Sequence, residues 1–406
     1  MSTVSVVAAA ENREHTRCSV GFAVRSILES LGPLSDVIKT GERVLVKVNM
    51  GCSGARGPEH RLTTHPLMAE TIIGMLLDYG AQVCFGDDVS RTGRHSDEIY
   101  RATGMEDVAR RTGARLVDFI ATGAREIRSR LLYPRSHLIT NRYFDADKVI
   151  NVASCRSHVG VGLSGAIKNM FGCVVGLRKG ALHNLFAGDP RRFGRALADI
   201  YRAIPPDLSF LDLTSVAECA GTTLAVRPVG LILGGRDGVA LDTVASYAIG
   251  YEELPIWPTY YAARFGVGCN RMEQIQIRGL DWNSVPKPRL GYPAGSAVKA
   301  SAYDRLSRVV NNTVLRPRPV ITDAKCTKCG DCVERCPVAC IEHAEGAPYQ
   351  IDLPRCVDCG CCVSICKAGA IKVETVGWCR PICKLIDRLP RFGNEHHPPA
   401  DPAGKW

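Results

Sequence analysis

Residues 147–172 read DKVINVASCRSHVGVGLSGAIKNMFG. The opening run, DKVINVAS, is apolar and of strand length, which predicts a strand buried on both faces. Beyond it stands a literal G-x-G-x-x-G at Gly160, Gly162 and Gly165. A dinucleotide fingerprint needs strand, glycine turn and helix in immediate succession, with an acidic residue closing a strand about 20 residues on. Here CRSHV, residues 155–159, separates strand from glycine, and Asp189 lies in a GDP loop. The glycines are therefore expected to shape a loop around Lys168 rather than to cradle a dinucleotide. Arg156, Ser157, His158, Lys168, Asn169, Arg178, Lys179 and His183 cluster in and after this segment. They follow a buried-type strand, where open α/β sheets bind ligands; the alternative is a solvated loop face. In the functional reading His158, Lys168 and His183 carry acid–base chemistry near neutral pH, provided burial lowers the lysine. Arg156, Asn169, Arg178 and Lys179 hold the substrate.

The same pattern extends in both directions. Strands are expected at 42–50, 81–88, 114–119, 147–154, from 207 and at 228–235, and helices at 65–80, 98–113 and 240–250. Gly80 supplies a C-cap for the first of these helices. Strands alternating with helices predict an α/β fold, a mainly parallel sheet covered by helices. No repeat is evident within residues 1–300. Composition shifts near 295, giving an α/β substrate domain over 1–296, a linker over 297–320 with a stiff RPRPV joint, a cysteine-rich module over 321–377 and a polar tail over 378–406.

The chain has 406 residues, a formal charge of +10 and 19 cysteines. Its N-terminal residues lack the basic and apolar regions of a secretory signal, and no apolar run is long enough to span a membrane. A cytoplasmic, reducing setting is expected, in which clustered cysteines bind metal rather than form disulfides. Arginines are scattered rather than gathered in an aromatic-interleaved stripe, which argues against nucleic acid as a partner. The excess charge suits an anionic substrate or an acidic redox partner.

The cysteine-rich module carries the most specific signal. CTKCGDCVERCP sets Cys326, Cys329, Cys332 and Cys336 in C-x2-C-x2-C-x3-C-P spacing, and CVDCGCCVSICK repeats it with Cys356, Cys359, Cys362 and Cys366. In such a pair three cysteines of one motif wrap one cubane and the fourth crosses to the other cluster. Cys326, Cys329, Cys332 and Cys366 are assigned to one [4Fe–4S] cluster, and Cys356, Cys359, Cys362 and Cys336 to a second. The module resembles a bacterial two-cluster ferredoxin of α+β architecture, with Lys367 where the second motif usually has proline. Cys340, Cys361, Cys379 and Cys383 are not expected to be ligands. Cys52, Cys155 and Cys219 each follow a strand and are candidates for a third iron–sulfur cluster or another metal. The alternative is buried small apolar residues. Cys155 is also a candidate thiolate nucleophile if a nearby cation lowers its pKa.

The quoted segment, extended to LRKGALH, resembles the DUF362 family together with VLVKVNM, TTHPLMAETIIGMLLDYGAQVCFGDD and GGRDGVALDTVASYAIG. That domain of poorly defined function is often fused to a ferredoxin module, and the resemblance covers roughly residues 3–377. Family members commonly carry KLKTH where this chain has Ser154-Cys155-Arg156-Ser157-His158, so the histidine is kept and Arg156 stands in for the lysines. The large domain is also distantly similar to nickel-pincer lactate racemases. Their histidine, cofactor-bearing lysine and second histidine match His158, Lys168 and His183 in order, with His65 where the racemases place an arginine.

The leading expectation is an iron–sulfur oxidoreductase. An electron donor such as a ferredoxin or a reductase feeds the C-terminal clusters, which reduce a small molecule bound in the α/β domain. A non-redox, metal-dependent racemase- or lyase-like enzyme and a non-enzymatic electron-transfer adaptor are the alternatives.

Overall fold

The computed structural model describes residues 4–51, 57–89, 96–131, 135–158, 160–176, 179, 182, 189–220, 223–292, 317–334, 336, 339–342, 349–353, 355–356, 362–363 and 366–375. The large domain is built on one sheet. Its strands are β1 (Ser5–Glu11), β2 (Arg43–Lys47), β3 (Gln82–Asp87), β4 (Arg115–Asp118), β7 (Lys148–His158), β8 (Gly162–Ser164), β9 (Leu208–Ala220), β10 (Thr223–Gly235) and β11 (Ile275–Arg278). The order is β11-β1-β10-β9-β7-β2-β3-β4, with β8 paired to β7. Strands β2, β3, β4, β7 and β9 are mutually parallel, and β1 runs the same way beside β11. Only β10 and the short β8 run against them. The fold is α/β with a mostly parallel sheet. A separate hairpin joins β5 (Ala124–Arg128) to β6 (Ser136–Thr140).

Side chains of a strand alternate between faces, and both faces here are covered. On β2, Val44 and Val46 enter one core while Leu45 enters the other. The first core is closed by α1 (Arg17–Leu31), α2 (Pro66–Asp78), α3 (Ser96–Ala102) and α4 (Met105–Thr112). The opposite face packs against α6 (Ala166–Met170), α7 (Pro190–Ala203), α8 (Gly238–Ala248) and α9 (Trp257–Arg264), with α5 (Asn141–Asp145) following β6. Helix starts follow local chemistry. Thr16 and Ser19 form a capping box on α1, His65 precedes Pro66 on α2, and Asp189 of the GDP segment caps α7 ahead of Pro190.

The expected strands and helices are present, with three differences. The helix expected over 98–113 is two helices, broken where Gly104 adopts φ 73°. CRSHV is not a loop up to His158: β7 continues through that residue and folds back on β8, pairing Arg156 with Ser164 and His158 with Gly162. The RPRPV joint is also a strand, β12 (Pro317–Ile321), antiparallel to β15 (Ile371–Thr375). Prolines at alternate positions place both missing N–H groups on one edge, so the other edge can still pair. With α10 (Asp331–Glu334), β13 (Ile341–Glu342) and β14 (Gln350–Ile351), this strand pair frames the C-terminal ferredoxin-like module.

Phe85 is fully buried between the sheet and the first helical layer. Phe85→Ala should cost about 3–5 kcal/mol in chemical unfolding. A loss below about 1 kcal/mol would show that this layer is not tightly packed.

Candidate functional site

Parallel strands bring their carboxyl ends to one edge, and polar residues gather there. Lys47 ends β2 and Asp87 ends β3; their Nζ and Oδ1 atoms are 3.0 Å apart with both side chains buried. Asp87 also accepts the N–H groups of Met50 at 2.8 Å and Asp88 at 2.9 Å. Burial opposes its charge, yet Lys47, Lys179 and the Met50 N–H together hold the carboxyl below its ordinary value. Asp88 accepts the Gly176 N–H at 3.0 Å, and Lys179 donates to the Asp88 carbonyl at 3.0 Å. Asn169 on α6 donates to Asn151 Oδ1 at 2.7 Å, and its own Oδ1 lies 3.4 Å from Lys47 Nζ. Gly172 backs directly onto the Lys47–Asp87 pair, where any added Cβ would collide with both groups. At the end of β4, desolvation and then the Asp88 charge raise Asp118 to about 7, although Ser96 donates to it at 2.8 Å. The sequence signal for these residues is a charged side chain closing a buried run, as in VLVK and CFGDD.

The glycine segment has a different use from that of a nucleotide loop. At the start of α6 the Asp242 carboxylate accepts the N–H groups of Ala166 at 2.6 Å and Ile167 at 3.1 Å. Gly165 has no Cβ to block that approach. The two free N–H groups at this helix start are thus met by a side chain of the protein itself. Lys168 is half-buried on the same short helix. His158 ends β7, its Nδ1 accepting the Gly160 N–H at 3.0 Å and its ring 6.4 Å from that of Phe193.

Three expected substrate ligands are engaged by the protein. Asn169 and Lys179 belong to the network just described, and Arg156 donates to the Leu62 carbonyl at 2.9 Å. Arg178 and His183 lie outside the described residues. Cys155 is fully buried among apolar side chains, and burial, then Asp242, pushes its thiol well above the ordinary value. That environment keeps the thiol protonated and argues against a thiolate nucleophile there. Cys219 stands opposite Leu224 in the β9–β10 ribbon, and Cys52 is outside the described residues. Among the described residues of the large domain, no three histidine, cysteine or acidic side chains converge as metal ligands.

A second polar group, missed in the sequence apart from His65, occupies the same edge on the far side of β7. His15 Nε2 lies 2.7 Å from Asp212 Oδ2, with both side chains buried. Thr214 donates its N–H to Asp212 Oδ1 at 2.9 Å, and Asn12 donates to Thr214 Oγ1 at 2.7 Å. The His15 ring stacks on His65 at 4.0 Å. Burial, then the charges of His15 and Arg61, lowers His65 to about 3.

In the C-terminal module Cys326, Cys329, Cys332 and Cys366 line a single cavity with Tyr349 and Ile371. Burial and the neighbouring Cys329 and Cys326 push the Cys332 thiol up to about 11. These four cysteines are the three of one motif and the crossing fourth of the other, so the donor set fits an iron–sulfur cubane. Cys336, Cys356 and Cys362 share the module's buried core, while Cys359 lies outside the described residues. Cys340, not expected to be a ligand, touches this second set: its Sγ is 3.5 Å from that of Cys336.

Lys47→Met strands the Asp87 carboxylate in the core and should cost about 3–5 kcal/mol of unfolding free energy. A double variant with Asp87→Leu should recover much of that loss; if it does not, the pair is not the source. The raised Asp118 means the folded chain holds a proton the unfolded chain lacks between the ordinary carboxylate range and pH 7. Stability therefore falls as pH rises through that window. Asp118→Asn should flatten the fall without removing it, because Asp242 is also raised to about 7 by burial. An unchanged slope in a pH series of unfolding curves would contradict this.

Residues 318–367 match the 4Fe-4S dicluster domain, and residues 44–247 match a domain of unknown function, DUF362. A thylakoid-associated protein of Synechocystis sp. is 29% identical over 269 residues, covering 66% of this chain and 81% of that protein. The lactate racemase apoprotein of Thermoanaerobacterium thermosaccharolyticum is similar over 59% of this chain and 55% of its own, at 13% identity and a TM-score of 0.39. A Thermotoga maritima protein is similar over 63% of this chain and 60% of its own, at 14% identity and a TM-score of 0.35. The chain thus spans less than two thirds of both solved structures. No described helix is long and apolar enough to cross a membrane. With half its length matched and a 4Fe-4S dicluster domain following, the chain belongs to the DUF362 family.

Proposed function

We propose that this protein is an iron–sulfur oxidoreductase that reduces a small molecule at the carboxyl edge of the large-domain sheet. The observation that carries the reading is the cavity lined by Cys326, Cys329, Cys332 and Cys366, on the same chain as an α/β domain with a polar strand edge. Those four residues hold one cluster, and Cys336, Cys356, Cys359 and Cys362 hold the second. When bound, the clusters supply electrons one at a time at low potential. The electron donor is a small ferredoxin or a reductase, for which the net positive charge suits an acidic surface.

Reducing a double bond consumes two electrons and two protons, so the large domain has to deliver protons as well. His158, Lys168 and His183 are the proposed proton carriers, and Asp118, raised to about 7, is a further group poised near neutrality. Arg178 is the proposed substrate ligand. Asn169, Lys179 and Arg156 instead hold the edge in place around the substrate.

Protein purified without oxygen should contain about eight irons and eight sulfides per chain and show a reduced [4Fe–4S] EPR signal. About twelve irons would add a third cluster in the large domain, with Cys52, Cys155 and Cys219 as its first candidate ligands. Absence of any reducible cluster after anaerobic reconstitution would overturn the reading. Lys168→Ala and His158→Ala should keep the iron count and slow turnover about 100-fold or more, the usual scale for lost proton transfer. Unchanged turnover in both would remove them from the chemistry.

A further inference from the structure

Among the described residues several buried polar atoms of the large domain have no hydrogen-bond partner, and four of them belong to Asn12, Arg61 and Thr63. Asn12 and Thr63 are each 2% exposed, yet among the described residues Asn12 Oδ1 and Thr63 Oγ1 have no hydrogen-bond partner. Arg61, half-buried, leaves its Nε and Nη1 without one. Arg61 and Thr63 lie on the segment entering α2, and Asn12 follows β1. Two of the three adjoin the second polar group: Arg61 is within electrostatic reach of Asp212 and of His65, and Asn12 bonds Thr214, which bonds Asp212; Thr63 is two positions from Arg61. A buried donor or acceptor without a partner loses its hydration and gains nothing in return, so unpartnered polar atoms of both kinds near one place point to a ligand that completes them. The Arg61 backbone sits at φ 55°, in the left-handed region that residues other than glycine rarely adopt, at the end of the Pro58–His60 turn. Strain of this kind persists where the surroundings hold the side chain in a required place.

We propose that Arg61, Asn12, Thr63, His15 and His65 form a binding site for a small monocarboxylate. The guanidinium supplies the charge and two free nitrogens, the chemistry that recognises a carboxylate or a phosphate. Asp212 selects between these. Its buried carboxylate stands within the same group, and a doubly charged phosphate would meet that fixed negative charge. A monocarboxylate adds one negative charge, which Arg61 balances. The His15–His65 stack supplies a flat wall and ring nitrogens beside it. Asn12 and Thr63 remain for a hydroxyl or amine on the same ligand. The inference concerns binding alone and stands whether or not the ligand is what the clusters reduce.

The test uses full-length protein carrying its clusters, with sodium acetate and sodium glycolate as probes against sodium chloride at equal ionic strength. Binding is followed by thermal midpoint and by NMR signals of labelled histidines. Saturable shifts of the His15 and His65 signals are expected, with glycolate the tighter probe. Arg61→Met should weaken binding by about tenfold or more, the scale of a charge-assisted hydrogen bond. Arg61→Lys should retain part of it, which controls for misfolding, and the iron content of both variants should match the parent. Saturation by inorganic phosphate but not by acetate would overturn the monocarboxylate assignment. No saturation by either carboxylate, or equal affinity in Arg61→Met, would overturn the site. None of these outcomes depends on turnover, so a failure here is distinct from a failure of the redox reading.

Discussion

The Lys47–Asp87 pair is the constraint on which the large domain's functional edge depends. Two charges out of water are costly unless every remaining donor and acceptor is met. Asp87 therefore draws in the N–H groups of Met50 and Asp88, and Lys47 lies beside Asn169. Each of those contacts fixes another element. Asn169 ties α6 to Asn151 of β7, and Gly172 lets the chain after α6 lie directly on the pair. Asp242 holds the other end of α6 through two N–H groups. Lys168 thus sits on a helix of one turn that is anchored before and behind it. A helix that short has no stability of its own, so its orientation is owed to these contacts.

The architecture was legible because its signal is local. Runs such as VLVKV and VCFGDD are apolar on both parities, which is what a strand covered on both faces requires. The break at Gly104 and the extension of β7 through CRSH were not legible. The first depends on one backbone conformation, and the second on a hairpin partner, β8, whose three residues carry no pattern of their own. The β1 strand and α1 also escaped, since SVVAAAE alternates weakly and the capping box at Thr16 uses serine in place of the more telling glutamate.

The candidate sites divide the same way. The eight ferredoxin cysteines carry their expected grouping in their spacing, because a cubane's ligands lie within one tight loop and one crossing residue. The crossing cysteine, Cys366, does line the cavity with Cys326, Cys329 and Cys332. The large-domain sites are assembled from distant segments. His15 and Asp212 are 197 positions apart, and no periodicity connects them. What the sequence offered was a charged residue inside an apolar strand, SFLDLT, whose partner only the fold could name. The glycine motif worked in the opposite direction: its pattern was visible, but what it accommodates is the Asp242 carboxyl group.

The most direct measurement is the reoxidation of the chemically reduced protein, followed by recovery of cluster absorbance without oxygen, against a set of small unsaturated acids and amides. The account predicts that at least one compound accelerates recovery saturably and is recovered carrying two added hydrogens. If no small molecule accelerates recovery, and electrons leave only to another protein, the chain is an electron-transfer adaptor and the large-domain edge is not a site of reduction.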